Sequence, residues 1–290
     1  MSSNSNIEWT DATWNPIGGC TKCSPGCTNC YAERMTHRLA HNPTTPRYAG
    51  LTDAQGRWTG EVRLFPDELE KPIHWRKPRR VFVCSMSDLF HESVPDEYIW
   101  QVLKTALQGN RRHTYTILTK RPERMAAWFA ANAQQFWHYH APGSPQRPYC
   151  MAPWPDPCLW LGVTVCNQAE ADAKIPILLQ IPAAVRWVSI EPMLGEIDLR
   201  HIHHDNMVEI DALTGDHGVY RPLAGRSDNK LDWTVIGAET GPGARPMHPD
   251  WARGIRDQCT AAGIPFFFKK DSNGNHELDG RTWEQFPEVK

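Results

Sequence analysis

Six short apolar runs, each closing on polar residues, constrain the fold of this 290-residue chain more than any other feature. They are RVFVCSMSD at 80–88, TYTILTKR at 114–121, LWLGVTVCNQ at 159–168, VRWVSIEP at 185–192, DWTVIGAETG at 232–241 and IPFFFKK at 264–270. Continuous apolar runs of this length suit strands buried on both faces, as in parallel sheets. Helical patterns lie between them. PDEYIWQVLKTALQGN opens on a proline and two acids and places Ile99, Val102, Leu103 and Ala106 on one face, with Gly109 as a stop. RPERMAAWFAANAQQF, NQAEADAKIPILLQ and HPDWARGIRDQCTAAG follow, with Pro176 expected to break the second of these and Gly263 to end the third.

Strand then helix, repeated about six times, predicts an α/β fold with parallel strands. The expected form is a partial or full (β/α) barrel spanning 1–290 as a single domain, with a doubly wound open sheet as the other arrangement. Residues 137–158 are rich in proline and aromatics and read as an ordered loop. Residues 200–231 read as an inserted arm with a hairpin around LTGDHG. The C-terminal ELDGRTWEQFP predicts an Asp-Gly hairpin, with Trp283 and Phe286 docking on the body.

The formal net charge is -2, so no overall basic field points to a nucleic acid. The sequence begins without a basic, apolar leader and has no run of membrane-spanning length. A cytoplasmic protein without a membrane partner is the expectation. WRKPRR at 75–80 is the one basic run and reads as a solvated lead-in to the next strand.

In a parallel barrel the C-terminal strand ends form one face, and that face carries the site. Here those ends hold Ser85, Ser87 and Asp88; Thr119, Lys120 and Arg121; Thr164; Glu191; Glu239; and Lys269 and Lys270. Lys120 and Arg121 stand where an anionic substrate could sit and are the candidate catalytic pair. Glu191 and Glu239 could bind a cofactor's amino group or ribose hydroxyls, or else pair with neighbouring cations.

The loop GGCTKCSPGCTNCYAERM at 18–35 carries Cys20, Cys23, Cys27 and Cys30, four of nine cysteines. In a reducing compartment so tight a group reads as a metal site rather than as bridges. Two chemistries fit. A structural zinc would take all four thiolates, though the middle gap of three residues is cramped. A 4Fe-4S cluster would take three, either Cys23, Cys27 and Cys30 or Cys20, Cys27 and Cys30. Its open iron would bind S-adenosylmethionine and cleave it to a 5′-deoxyadenosyl radical. HIHH at 201–204, with Asp205 and His217 nearby, lacks a clear ligand set and reads as a polar loop.

The cysteine spacing followed by β/α units resembles the radical S-adenosylmethionine superfamily. IEWTDATWNP, GCTKCSPGCTNCYAERM, SMSDLFHE, LTKRPERM, WLGVTV, SIEPMLGEIDL, GAETGPGARPMHPDW and PFFFKK resemble, in order, one branch of it. That branch comprises phage and bacterial proteins first named from mycobacteriophage gene products. The superfamily's spacing points to Cys23 as the third ligand, and the branch points to Cys20. The resemblance further implies cofactor contacts from Ser85, Ser87 and Asp88, to which the strand-end residues Thr164, Glu191 and Glu239 are added as cofactor-binding candidates. It implies an electron donor as partner and a small molecule, nucleotide or nucleic acid as substrate. The alternative expectation is a zinc-stabilised nucleic-acid-binding or regulatory protein without catalysis.

Overall fold

The computed structural model describes residues 5, 7–108, 112–140, 154–204, 208–217 and 229–288. The chain divides into two compact units, residues 1–160 and 161–290. The first contains β1 (Ala12–Trp14), β2 (Ile17–Gly18), α1 (Tyr31–Ala40), β3 (Arg63–Leu64), β4 (Arg80–Val83), α2 (Asp96–Gln108), β5 (Thr114–Thr119) and α3 (Pro122–His140). β6 (Leu159–Thr164) begins at its end. The second holds α4 (Gln168–Gln180), β7 (Val185–Ile190), β8 (Ile202–His204), β9 (Val208–Asp211), β10 (Asp216–His217), β11 (Trp233–Ile236), α5 (Pro249–Ala262), β12 (Phe266–Phe268), β13 (Glu277–Leu278) and β14 (Arg281–Thr282).

Seven strands form the main sheet in the order β1-β4-β5-β6-β7-β11-β12. The β1–β4, β4–β5, β7–β11 and β11–β12 pairs are all parallel. This is an open, curled half-barrel, the partial form of the expected architecture, with β1 and β12 at its edges. β6 and β7 are buried along their whole length, as their uninterrupted apolar patterns require.

Each unit has its own apolar filling. In the first, Trp128 stands edge-on to Phe129 and Phe136 at ring separations of 5.3 and 5.8 Å, and Phe136 stacks on Trp154 at 4.3 Å. In the second, Trp187 lies 5.2 Å from Trp233, and Phe286 covers Trp233 at 5.4 Å. That last contact is the expected docking of the C-terminal hairpin. Its turn, Asp279 and Gly280, has φ of 55° and 70°, the geometry of a two-residue turn between antiparallel strands.

Two local expectations change. β1 is a strand that the six apolar runs did not include, because three residues carry too little pattern. Pro176 does not break α4, which runs continuously through it. Burial of Ile175, Pro176, Leu178 and Leu179 offsets the hydrogen bond lost at the proline nitrogen. Trp9 and Trp14 pack on the sheet, Trp9 against Phe82 at 4.8 Å and Trp14 against Tyr115 at 6.0 Å.

Within the arm, β8, β9 and β10 form a small antiparallel sheet, with the hairpin at the expected place. Residues 205–207 and 218–228 of that arm, and 141–153 of the proline-rich loop, lie outside the described residues. No helix among the described residues is long and apolar enough to cross a membrane.

Candidate functional site

The site in the first unit is built where β1, β4 and β5 end. Parallel pairing brings Asn15, the turn at 84–88 and Thr119 to one edge of the sheet. Asn15 Oδ1 accepts from Ser85 Oγ at 3.1 Å and from the Met86 N–H at 3.0 Å, locking the turn after β4. Cys84 starts that turn, buried and at φ of 60°. Ser87 Oγ donates to the Gly19 carbonyl at 2.6 Å and so ties the cysteine loop to the sheet. The Tyr31 hydroxyl donates to the Ser85 carbonyl and anchors the start of α1 in the same place.

Asp88 and Arg121 occupy the centre, with side chains only 7% and 6% exposed. One oxygen of Asp88 accepts from Thr119 Oγ1 at 2.7 Å and the Phe90 N–H at 3.0 Å. The other accepts from the Lys120 N–H at 3.0 Å and Arg121 Nη1 at 3.2 Å. Arg121 also binds Glu92 through Nε at 2.9 Å and Thr21 Oγ1 through Nη2 at 2.8 Å. The Arg121 guanidinium is thus saturated by protein groups, and it positions the cysteine loop rather than facing an open substrate site. His91 completes the network. Its Nδ1 accepts from the Ser93 N–H at 3.1 Å, which leaves Nε2 to carry the proton facing Thr21 Oγ1 at 2.8 Å. Burial, then Arg121, holds the imidazole below its ordinary range.

Local sequence shapes the thiol loop. Ser24 Oγ accepts from the Gly26 N–H at 3.1 Å, Pro25 starts a single 3₁₀ turn over Pro25–Cys27, and Thr28 Oγ1 closes it on the Pro25 carbonyl at 2.9 Å. Lys22 bridges to buried Glu33 at 2.8 Å across the loop. The tight turn folds Cys27 back on the residues before it. The Cys23 S–H donates to the Cys27 sulfur, and the backbone N–H groups of Cys23 and Ser24 add to it.

The thiols consequently differ. Cys27 is lowered to about 5, first by the Cys23 hydrogen bond, against burial, and then by Lys120 and the two N–H groups. Donating that bond, together with burial, pushes Cys23 far above the ordinary thiol range. Burial and then Asp88 push Cys20 up to about 12, despite Arg121 Nη1 at 3.9 Å from its sulfur. Cys30 caps the N-terminus of α1 without a side-chain cap bond.

One finding corrects the metal-centre expectation. Among the described residues no group of three or more Cys, His, Asp and Glu side chains could hold a metal ion. The 4Fe-4S cluster on either cysteine trio, the S-adenosylmethionine cofactor bound to it, the radical enzyme and the zinc-stabilised alternative are all overturned by that finding. HIHH likewise forms no ligand set: His201 is paired with Asp198 at 2.8 Å, and Asp205 lies outside the described residues.

The remaining candidates are in the second unit. Glu191 is paired with Lys269 at 2.5 Å, and both pack over Gly237. Glu239 takes the Arg245 N–H and Nε at 2.8 Å and Nη2 at 2.5 Å, so the GAETGPGAR loop closes on itself. Thr164 Oγ1 is buried and has no hydrogen-bond partner. Residues that sequence reasoning left without a role are Asn15, Thr21, Tyr31, His91 and Glu92. His91 and Glu92 lie in the SMSDLFHE stretch already singled out, and Asn15 precedes a proline next to β1.

A family model matches residues 4–287, that of the family described as "Protein of unknown function (DUF5131)", and the chain belongs to that family. No curated protein and no solved structure matches it.

Proposed function

We propose that this member of the DUF5131 family is a peroxide-responsive thiol protein, in which Cys27 and Cys23 cycle between dithiol and disulfide. The hydrogen bond from the Cys23 thiol to the Cys27 thiolate carries the reading, because it pairs an ionised sulfur with a resolving thiol in contact. At pH 7 a thiol at about 5 is roughly 99% ionised, against roughly 1% for an ordinary one at 9.

Lower basicity also weakens each thiolate as a nucleophile, by roughly 40- to 100-fold over four units. The two effects nearly cancel on attack. The advantage lies in the return step, where a low-pKa thiolate is the better leaving group.

The chemistry balances as follows. The Cys27 thiolate attacks one oxygen of a hydroperoxide, the O–O bond breaks, and Cys27 becomes a sulfenic acid as the alkoxide or hydroxide leaves and is protonated by water. The Lys120 ammonium beside Cys27 stabilises that departing anion. Cys23 then attacks the Cys27 sulfur, and water departs as the disulfide forms. A dithiol reductant of a reducing compartment, such as the cytoplasm, attacks the exposed Cys23 sulfur and expels Cys27 as its stable thiolate. Cys27 is only 9% exposed, which favours a small oxidant over a protein disulfide.

The test is stoichiometric peroxide treatment of the full chain, followed by non-reducing peptide mass spectrometry. A Cys23–Cys27 disulfide is expected in the native protein. A dimedone adduct on Cys27 is expected in Cys23→Ser. If Cys27 remains a free thiol in both, the proposal fails.

A further inference from the structure

The opposite edge of the same strands carries a second feature, independent of the thiol chemistry. WRKPRR enters β4 there, and Arg112 precedes β5. Register and hydrogen bonds join the two segments. Arg80 pairs with Thr114, the Arg79 carbonyl accepts from the Thr114 N–H at 2.9 Å, and Arg112 Nη1 donates to the Arg76 carbonyl at 2.9 Å. Arg76, Lys77, Arg79, Arg80 and Arg112 thus converge on one edge of a chain whose net charge is -2.

Arg76, Lys77 and Arg112 are exposed and carry no salt bridge among the described residues. Asp11 faces this group and holds Arg80 at 3.8 Å. Of the acids just upstream, Asp67 is engaged by Arg47 at 2.7 Å and Glu68 by Arg47 and Lys71 at 2.5 Å, while Glu70 is exposed and carries no salt bridge among the described residues. Arg76, Lys77 and Arg112 therefore keep a net positive field against the one free acid. Pro78 limits the loop's freedom, and Arg79 lies 5.3 Å over the Trp75 ring, which fixes its guanidinium.

From this juxtaposition we infer that residues 75–80 and Arg112 form a binding face for the phosphate backbone of a nucleic-acid duplex. Four of the five cations are arginines, whose planar fork matches phosphate oxygens in pairs. A duplex fits better than a single strand because the aromatic surface is already taken. Arg79 covers Trp75, and His113 stands 5.8 Å away at its side, so little ring remains for base stacking. Contacts of this kind read charge and spacing rather than sequence. An anionic membrane is the other polyanion, but the face exposes one large apolar side chain, Ile73, and no helix that could insert.

The experiment is fluorescence anisotropy of a labelled 20-base-pair DNA duplex with the full chain, over about 50–200 mM salt. Arg76→Ala/Lys77→Ala is compared with Arg38→Ala/Arg57→Ala, which removes the same charge from another exposed surface of the unit. Binding at 50 mM salt is expected for the native protein and the control. The patch variant is expected to lose about ten-fold or more in affinity and to flatten the log K against log salt slope by about two. Both variants should still form the Cys23–Cys27 disulfide with peroxide, so failure here is separable from failure of the thiol reading. Absence of duplex binding at 50 mM salt, equal loss in both variants, or binding only to phosphatidylserine vesicles overturns the inference.

Discussion

At the scale of single residues, the thiol loop makes its predictions through protonation. Alkylation of Cys27, followed by mass spectrometry across pH, should show a midpoint near 5 instead of the ordinary 9. Cys23→Ala removes the S–H donor, the largest cause of the shift, and should move that midpoint upward. Lys120→Met should move it upward by less, because the charge ranks below the hydrogen bond. A midpoint unchanged by Cys23→Ala would contradict the hydrogen-bonded pair. Cys20 should resist alkylation at neutral pH, since burial and Asp88 keep it protonated. None of this was legible in the spacing of the four cysteines. Spacing announced a loop rich in sulfur, but which sulfur is ionised depends on Ser24 and Pro25 nearby and on Asp88 and Arg121 far along the chain.

At the scale of elements, the strand ends are held by a buried ion pair. Arg121→Met leaves Asp88 without its cation and should cost about 3–5 kcal/mol in urea unfolding. The loop that Arg121 ties through Thr21 should loosen, which amide hydrogen exchange over residues 20–23 would read as faster exchange in the same variant. β6 and β7 offer a steric test. A Cβ at Gly162 would come within 2.5 Å of the Trp187 ring, so Gly162→Ala should destabilise by about 1–3 kcal/mol. The parallel sheet was readable because its central strands are four to six apolar residues long with polar ends. β1 escaped because three residues of mixed character show no period. α4 was read as broken because Pro176 signals locally, whereas the burial that tolerates it comes from tertiary packing.

At the scale of the whole molecule, proton linkage sets the pH range of stability. Cys27 is depressed from 9.0 to about 5, so its contribution is present above 9 and is lost as pH falls through 5. His91, depressed from 6.5, contributes above that value and loses its contribution as pH falls through its lower folded value. Cys23 is raised, so its contribution is present below 9 and is lost at higher pH. The urea midpoint should therefore fall between pH 8 and pH 5, and less steeply in Cys27→Ser. A midpoint that rises toward pH 5 would show the signs to be wrong. The placement of β1 beside β4 has a further consequence, for a chain made from its N-terminus. Cys20 contacts Arg121, 101 residues later. At 5–20 residues per second the ribosome needs roughly 5–20 s to supply that partner. The Cys27 cradle, by contrast, lies wholly within residues 23–27 apart from Lys120. On stalled nascent chains, Cys27 should already react as a thiolate while Cys20 is still open to reagents. Cys20 should close only once residues through 121 have emerged.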